Sequence, residues 1–263
     1  MEKVFTFDDA AAHWPRFPDQ ADKYSRGVVG VMTGSARYPG AAVLSVLGAL
    51  NSGAGFVRFC GTNAVRHALV TRTPSVTFGP GPVDAWVLGC GWDDNEEQTN
   101  TDYWNQALES SKYLVVDAGA LSYAKQGCPP GSILTPHAGE LARLLEISRS
   151  QVETDPAYHA VEAARQIGAT VLLKGHVQYL ATSTGRVTPI ESGSSWLATA
   201  GSGDVLAGVV GTALAQTSDP ELAGLIAAGV QAWVSTVNPG PYPPDRVAEL
   251  LPAHLGRLET RII

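Results

Sequence analysis

Short apolar runs, each ending in a glycine-rich or polar turn and followed by a helix-patterned segment, recur along most of the chain. This alternation restricts the fold more than any other feature. "VVGVM" (28–32) reads as a buried strand, "TGSARYPG" as a loop, and "AAVLSVLGALNSG" as a helix closed by glycine. "FVRFC" (56–60), "AWVLGCG" (85–91) and "YLVVDAGAL" (113–121) read as further strands, with "QTNTDYWNQALES" a helix between the last two. "SILTPHAGELARLLEI" repeats strand, polar turn and helix, the helix starting near Gly139. "ATVLLKGHVQYLAT" (169–182) is a strand, a Lys-Gly turn and a second strand, continuing through "RVTPIE". "GDVLAGVVGTALAQ" (203–216) and "PELAGLIAAGVQAWVSTV" (220–237) are long apolar helices, and the proline-rich tail reads as a loop before a short last helix.

Such alternation predicts an α/β fold, a mainly parallel central sheet with helices on both faces and a short antiparallel portion near 170–191. Ligands then bind beyond the carboxyl ends of the strands. The turns at 33–40, 89–93, 117–119, 135–140, 174–178 and 199–204 are all expected on that edge. With 44% hydrophobic and 16% charged residues, residues 1–263 are expected to form one domain around a sizeable core. A formal net charge of −7 argues against a nucleic-acid groove or an anionic membrane surface as partner, so an anionic ligand must be held by local features. Cys60, Cys90 and Cys128 show no metal spacing and read as inert thiols in a reducing compartment. The N-terminus carries acids where a signal peptide would carry its apolar core, and no apolar run reaches the ~18 residues of a membrane span. A cytoplasmic protein is expected.

"TAGSGDVLAG" (199–208) places glycines and small residues at the mouth of an apolar helix. The residues Ala200 to Gly203 can bring several backbone N–H groups to one point, since Gly201 and Gly203 tolerate unusual dihedrals. A helix N-terminus adds the positive end of its dipole, so the pattern is an anion site suited to phosphate. Asp204 is then either a first-turn aspartate that stabilises the helix or a general base beside a phosphoryl group. The local pattern leaves both open.

"AGSGD" resembles the glycine-rich signature of the ribokinase-like fold, in which backbone amides form an anion hole and the aspartate is the base. Together with "KYSRGVVGVMTGSARYPGAAVLSVLGALNSGAGFVRF" (23–59), "LTPHAGELARLL" (134–145), "VLLKG" (171–175) and "SSWLATAGSGDVLAGVVGTALAQ" (194–216), it is similar to the NAD(P)H-hydrate dehydratase family. The resemblance implies a ribokinase-like three-layer α/β/α fold and a nucleotide-dependent repair of hydrated NADH and NADPH. Bacterial members use ADP and eukaryotic ones ATP, and this sequence looks most like the bacterial kind. In the implied mechanism Asp204 activates the ring hydroxyl of NADHX or NADPHX, which attacks the terminal phosphoryl of ADP. The Ala200–Gly203 amides hold the charge, and Mg²⁺ bridges phosphate oxygens. Loss of phosphate restores the reduced nicotinamide, with AMP and phosphate as co-products.

The resemblance extends to single positions. Ala41, in "RYPGAA", matches the loop lining the hydrate site, although small residues there also serve helix–sheet packing. Gly91, in "LGCGW", would let the dinucleotide approach, but Cys90, Trp92 and Asp93 depart from the family's turn; Trp92 could stack on a ring. His137, in "TPHAGE", resembles the residue that contacts the hydrate, and Glu140 could organise Mg²⁺ through water, though a first-turn glutamate is also favoured by the dipole. "KGHVQ" resembles the nucleotide-binding turn, making Lys174, Gly175, His176, Val177 and Gln178, with Gly203, the implied ADP contacts; Lys174 is otherwise a lysine in a solvated hairpin. "DAGAL" has Gly119 where relatives carry a second aspartate, and Asp117 either shapes the loop or touches Mg²⁺ or substrate.

The leading expectation is thus an ADP-dependent (S)-NAD(P)H-hydrate dehydratase, a hydro-lyase, acting as a homo-oligomer, by resemblance a tetramer. Residues 1–22 are too few for the epimerase domain that relatives often carry, so a stand-alone dehydratase is expected. A kinase of a small hydroxylated vitamin precursor is the rival on the same fold, favoured by AGSGD but not by TPHAGE. A silent nucleotide-binding protein is the third reading, which Asp204 and its glycines oppose.

Overall fold

A computed structural model describes residues 3–260. Nine strands form one sheet in the order β3-β2-β1-β4-β5-β6-β7-β8-β9. They are β1 (Val28–Met32), β2 (Phe56–Phe59), β3 (Thr77–Phe78), β4 (Ala85–Leu88), β5 (Leu114–Val116), β6 (Ile133–Leu134), β7 (Thr170–Leu173), β8 (Gln178–Ala181) and β9 (Val187–Ile190). Pairing is parallel from β3 through β7 and antiparallel for β7–β8 and β8–β9. The central strands are buried on both faces, which is why they read as continuous apolar runs rather than alternating ones. Strand order reverses beside β1, which pairs with β2 on one side and β4 on the other, the place where such sheets open a crevice.

Successive strand residues feed two separate cores. Val29, Val31, Val87, Val115, Ile133 and Leu172 pack on one face. Above that face lie α1 (Phe7–His13), α2 (Pro39–Asn51), α3 (Arg66–Arg72), α9 (Ser202–Thr217), α10 (Pro220–Val237) and α11 (Pro244–Thr260). Met32, Trp86, Leu88, Leu114, Val116 and Leu134 point the other way, under α4 (Glu97–Ser110), α5 (Leu121–Ala124), α6 (Ala138–Leu145), α7 (Arg149–Thr154) and α8 (Pro156–Ile167). This is the expected three-layer α/β/α arrangement, with the antiparallel portion where the sequence places it.

One contact on the first face positions the site. An added Cβ at Gly208 of α9 would lie 2.1 Å from the Ser45 carbonyl oxygen of α2, and one at Gly48 would lie 2.2 Å from that of Val205. The two backbones therefore touch with no side chain between them. The Thr212 hydroxyl donates across the same seam to the Ala49 carbonyl at 3.0 Å. Both helices begin at the carboxyl edge of the sheet, so their N-termini are held side by side.

One expectation is corrected. The last helix is not short but 17 residues long. Its Pro252 breaks the apolar pattern at an exposed position, while Val247, Ala248, Leu251 and Leu258 are buried. No helix among the described residues is long and apolar enough to cross a membrane.

Candidate active site

The N-terminus of α9 is built for an anion. Gly201, its capping residue, stands at φ +96°, a left-handed backbone that glycine takes without steric cost. The Ser202 amide is spent on the Thr199 carbonyl at 3.1 Å. The amides of Ala200, Gly201, Gly203 and Asp204 have no partner among the described residues, so all of the expected anion donors remain available except Ser202.

Asp204 follows on the first turn, and no backbone amide among the described residues hydrogen-bonds its carboxyl. Burial, and after it the neighbouring Asp117 charge, push its carboxyl from 3.8 up to about 6, against the pull of Lys174. A carboxylate serving only as a cap would be held low by the amides it accepts; this one is poised to take a proton near neutral pH.

Facing it are groups from four strand ends, β4, β5, β6 and β7. Asp117, just past β5, is 2% exposed. Its Oδ1 accepts from Lys174 Nζ at 2.6 Å and from the Thr135 hydroxyl at 2.8 Å, and its Oδ2 accepts from the Cys90 thiol at 3.3 Å. Burial, reinforced by the Asp117 and Asp204 charges, pushes the Cys90 thiol well above its ordinary value, so it stays a protonated donor. For Lys174 burial pulls downward, but Asp117 and then Glu140 outweigh it and hold the ammonium above the ordinary lysine range. Lys174 is therefore not a lysine in a solvated hairpin: its side chain is 17% exposed, and an added Cβ at Gly203 would lie 3.1 Å from Nζ. The ammonium sits against the first turn of α9.

His137 caps α6. Its Nδ1 accepts from the Gly139 and Glu140 amides at 3.0 and 3.2 Å, while Glu140 Oε2 accepts from the His137 amide at 2.8 Å. With Nδ1 an acceptor, Nε2 carries the hydrogen and is the ring's donor. Ala41, in the first turn of α2, meets Gly91, since an added Cβ at Gly91 would lie 2.5 Å from that of Ala41. Gly91 stands at φ +66°. Two residues singled out 50 positions apart are thus in contact.

Two clefts flank this cluster. One of about 510 Å³ is lined by His137, Lys174, Gly175, His176, Gln178 and Gly203, along with the 193–199 loop and Gln231. Of the expected nucleotide contacts only Val177 is not in its wall. The other, of about 410 Å³, is lined by Trp92, Gly119, Glu140 and Arg143, with Ala118 and Lys125 among its remaining walls. Trp92 contributes little free ring to it: the side chain is 6% exposed, its indole N–H donates to the Met32 carbonyl at 2.9 Å, and Tyr123 packs edge-on. Asp93 caps the short 3₁₀ turn at 94–96, accepting from the Asn95 amide at 3.1 Å. Gly119 leaves room for Trp92, whose Cβ an added methyl would approach to 2.8 Å. Thr135 of "TPHAGE", Cys90 of "LGCGW" and Ala118 of "DAGAL" lie inside quoted motifs, but the sequence gives the first two no role as donors to Asp117 and does not show the left-handed backbone of Ala118 at φ +43°.

Residues 29–248 match the family model described as NAD(P)H-hydrate dehydratase. The chain belongs to the NAD(P)H-hydrate dehydratase family. Among members of that family, the ADP-dependent (S)-NAD(P)H-hydrate dehydratase of Neisseria meningitidis is 34% identical over 75% of this chain and 72% of its own length. The bifunctional NAD(P)H-hydrate repair enzyme Nnr of Mycobacterium tuberculosis is 40% identical over 80% of this chain and 46% of its own. The chain spans about half the length of the bifunctional relatives it matches. The crystal structure of the Bacillus subtilis ADP/ATP-dependent NAD(P)H-hydrate dehydratase, co-crystallised with ATP/Mg²⁺, superposes with a TM-score of 0.89 at 26% identity, covering 98% of this chain and 99% of that one. A ribokinase-like superfamily protein from Enterococcus faecalis, 21% identical, shares the fold with a TM-score of 0.85 over 97% of this chain and 96% of its own. This chain therefore shares the ribokinase-like fold, and its 89–93, 117–119, 135–140 and 174–178 turns meet through Cys90, Asp117, Thr135 and Lys174.

Proposed function

We propose that the chain is an ADP-dependent dehydratase of (6S)-NADHX and NADPHX, working as a single dehydratase domain over 1–263. The observation that carries this reading is Asp204, a carboxyl held near 6, beside free amides and an immobilised ammonium at one helix mouth. A hydroxyl on a reduced nicotinamide ring leaves poorly as hydroxide and well as phosphate. Asp204 takes the hydroxyl proton as the oxygen bonds to the β-phosphorus of ADP and the bond to AMP breaks. The amides of Ala200, Gly201 and Gly203 and the Lys174 ammonium meet the charge that grows on the phosphoryl oxygens. The ring nitrogen's lone pair then expels phosphate, and loss of a ring proton restores the dihydronicotinamide.

The 510 Å³ cleft takes the nucleotide, against Lys174, Gly175, His176, Gln178 and Gly203. Ala41, Gly91 and His137 take the hydrate, His137 offering Nε2–H to an acceptor. The donor set fits Mg²⁺ only in one manner. Asp117 already accepts three donors and Glu140 accepts from its cap amide, and the Cys90, Asp117 and Asp204 side chains that come within 4.8 Å of one another include a thiol, so among the described residues these groups form no all-oxygen cage. Glu140 suits a cation that keeps its waters and is bound through phosphate, where it would neutralise charge on the nucleotide.

The test is incubation with hydrated NADH, ADP and Mg²⁺, following absorbance at the reduced-nicotinamide band. Recovery of NADH with release of AMP supports the reading; none with either ADP or ATP removes it and leaves the small-molecule kinase. The pH profile follows from Asp204. Because the ionised base is the active form and its carboxyl stands at about 6, kcat/KM is expected to fall tenfold per pH unit below that point. A homotetramer in the cytoplasm is part of the same reading, and light scattering after size exclusion checks the assembly.

A further inference from the structure

We propose that Asp117 is a positioning residue, whose carboxylate, itself held by Thr135 and Cys90, clamps the Lys174 ammonium against Gly203 at the N-terminus of α9. The inference rests on the phosphoryl-transfer reading above and adds to it the device that aims the charge.

Asp117 cannot meet a substrate directly. It is 2% exposed, and its oxygens are taken by Lys174, Thr135 and Cys90. What it does is fix a flexible side chain. A lysine ammonium on four methylenes is a mobile point charge; ion-paired at 2.6 Å, it is confined to one place. That place is the inner side of the Gly203 turn, where an added Cβ would lie 3.1 Å from Nζ.

The backbone is bent to achieve this. Ala118 stands at φ +43°, a left-handed conformation that a non-glycine residue disfavours and that persists where surrounding structure over-determines it. An added Cβ at Gly89 would lie 2.0 Å from the Asp117 carbonyl oxygen, so the preceding β4 turn is cleared for the same loop. Four strand ends thus converge on this carboxylate, β4 through Cys90, β5 through Asp117 itself, β6 through Thr135 and β7 through Lys174.

The clamp has a second effect. The charged or titratable groups that act on Asp204 are Asp117 and Glu140, which raise its carboxyl, and Lys174 and the Cys90 thiol, which lower it. Removing the Asp117 charge while leaving its shape lets Asp204 titrate lower and frees the ammonium to drift.

The experiment compares Asp117→Asn, Lys174→Met and the double variant with the unmodified protein. The carboxyl of Asp204 is titrated by carbon-13 NMR, its resonance assigned by absence in Asp204→Asn. ADP affinity is measured by calorimetry, and the pH profile of kcat is measured on hydrated NADH. In Asp117→Asn the Asp204 midpoint is expected to move down from about 6 by roughly one unit, with the acid limb of kcat following it and kcat falling at least about tenfold. The double variant is expected to turn over no more slowly than Lys174→Met, because a clamp without its lysine does nothing. An unmoved midpoint, or losses in kcat that multiply in the double variant, overturns the proposal.

Should Asp117→Asn fail to fold, Thr135→Val removes one support of the clamp without altering charge. It is expected to lower kcat severalfold with the Asp204 midpoint in place, and unchanged kcat overturns the proposal. If the unmodified protein does not dehydrate the hydrate, the dehydratase reading fails by itself. The midpoint and the ADP affinity then decide the clamp: both single variants are expected to bind ADP several-fold more weakly, the double no more weakly than Lys174→Met, and equal affinity across the set overturns it.

Discussion

Asp204→Asn is expected to cut kcat by about 10²–10⁴-fold and, at the same time, to raise the melting temperature at pH 8. The first effect is loss of the base. The second comes from linkage. A carboxyl raised from 3.8 to about 6 on folding means that the folded state binds the proton more tightly than the unfolded chain. Stability contributed by this group is therefore full below about pH 4 and is lost as pH rises to 6, above which the ionised carboxylate costs a constant amount. Two pH units correspond to roughly 2–3 kcal/mol, and asparagine removes that cost. Thermal melts of the two proteins at pH 8 should differ by several degrees, and the gap should close toward pH 4. An equal melting temperature at pH 8 would mean that Asp204 is solvated and not held for catalysis.

A large loss of stability is expected from overpacking the α2–α9 seam. Gly208→Ala places a methyl 2.1 Å from the Ser45 carbonyl oxygen, and that neighbour is backbone and cannot swing aside. Overpacking of this kind costs about 3 kcal/mol, which in a chain of this size lowers the melting temperature by roughly 6–12 °C. Gly256→Ala is the control. It lies in helix α11 and an added Cβ meets nothing within 4 Å, so it should be neutral or stabilise by about 0.5–1 kcal/mol. Similar melting temperatures for the two variants would show that the helices can separate.

Fold and site differ in how far the amino-acid sequence reveals them. The helix read at 220–237 coincides with α10 to the residue, and the strand at 28–32 with β1, because continuous apolar runs bounded by glycine or proline leave little choice. Between 61 and 84 the same reasoning finds nothing, since α3 spans seven residues with Leu69 alone buried and β3 has only two, too few in either case to show a period. Within the site, the glycine turns mark its edge, whereas the contact between Ala41 and Gly91 is seen only in the structure. The role of Asp117 does not follow. Its partners come from three other strand ends far apart in the chain, and the left-handed turn at Ala118 that follows it falls on a residue type that does not announce such a conformation. His137 likewise reads as a ligand contact, while half of its ring serves to cap α6.

With no side chain between α2 and α9, the wall that carries Ala41 and the wall that carries the free amides behave as a single casting. On the proposed function, the separation between the ends that would hold the hydroxyl and the phosphoryl is then a fixed gauge, set by backbone contact and not by either ligand. On that reading a nucleotide with two phosphates or with three would present its terminal phosphoryl at the same point on that gauge. The difference in length has to be absorbed by the opposite jaw, the 174–178 turn and the 193–199 loop. Substitutions that change the preference between ADP and ATP should therefore cluster there, and not around Asp204.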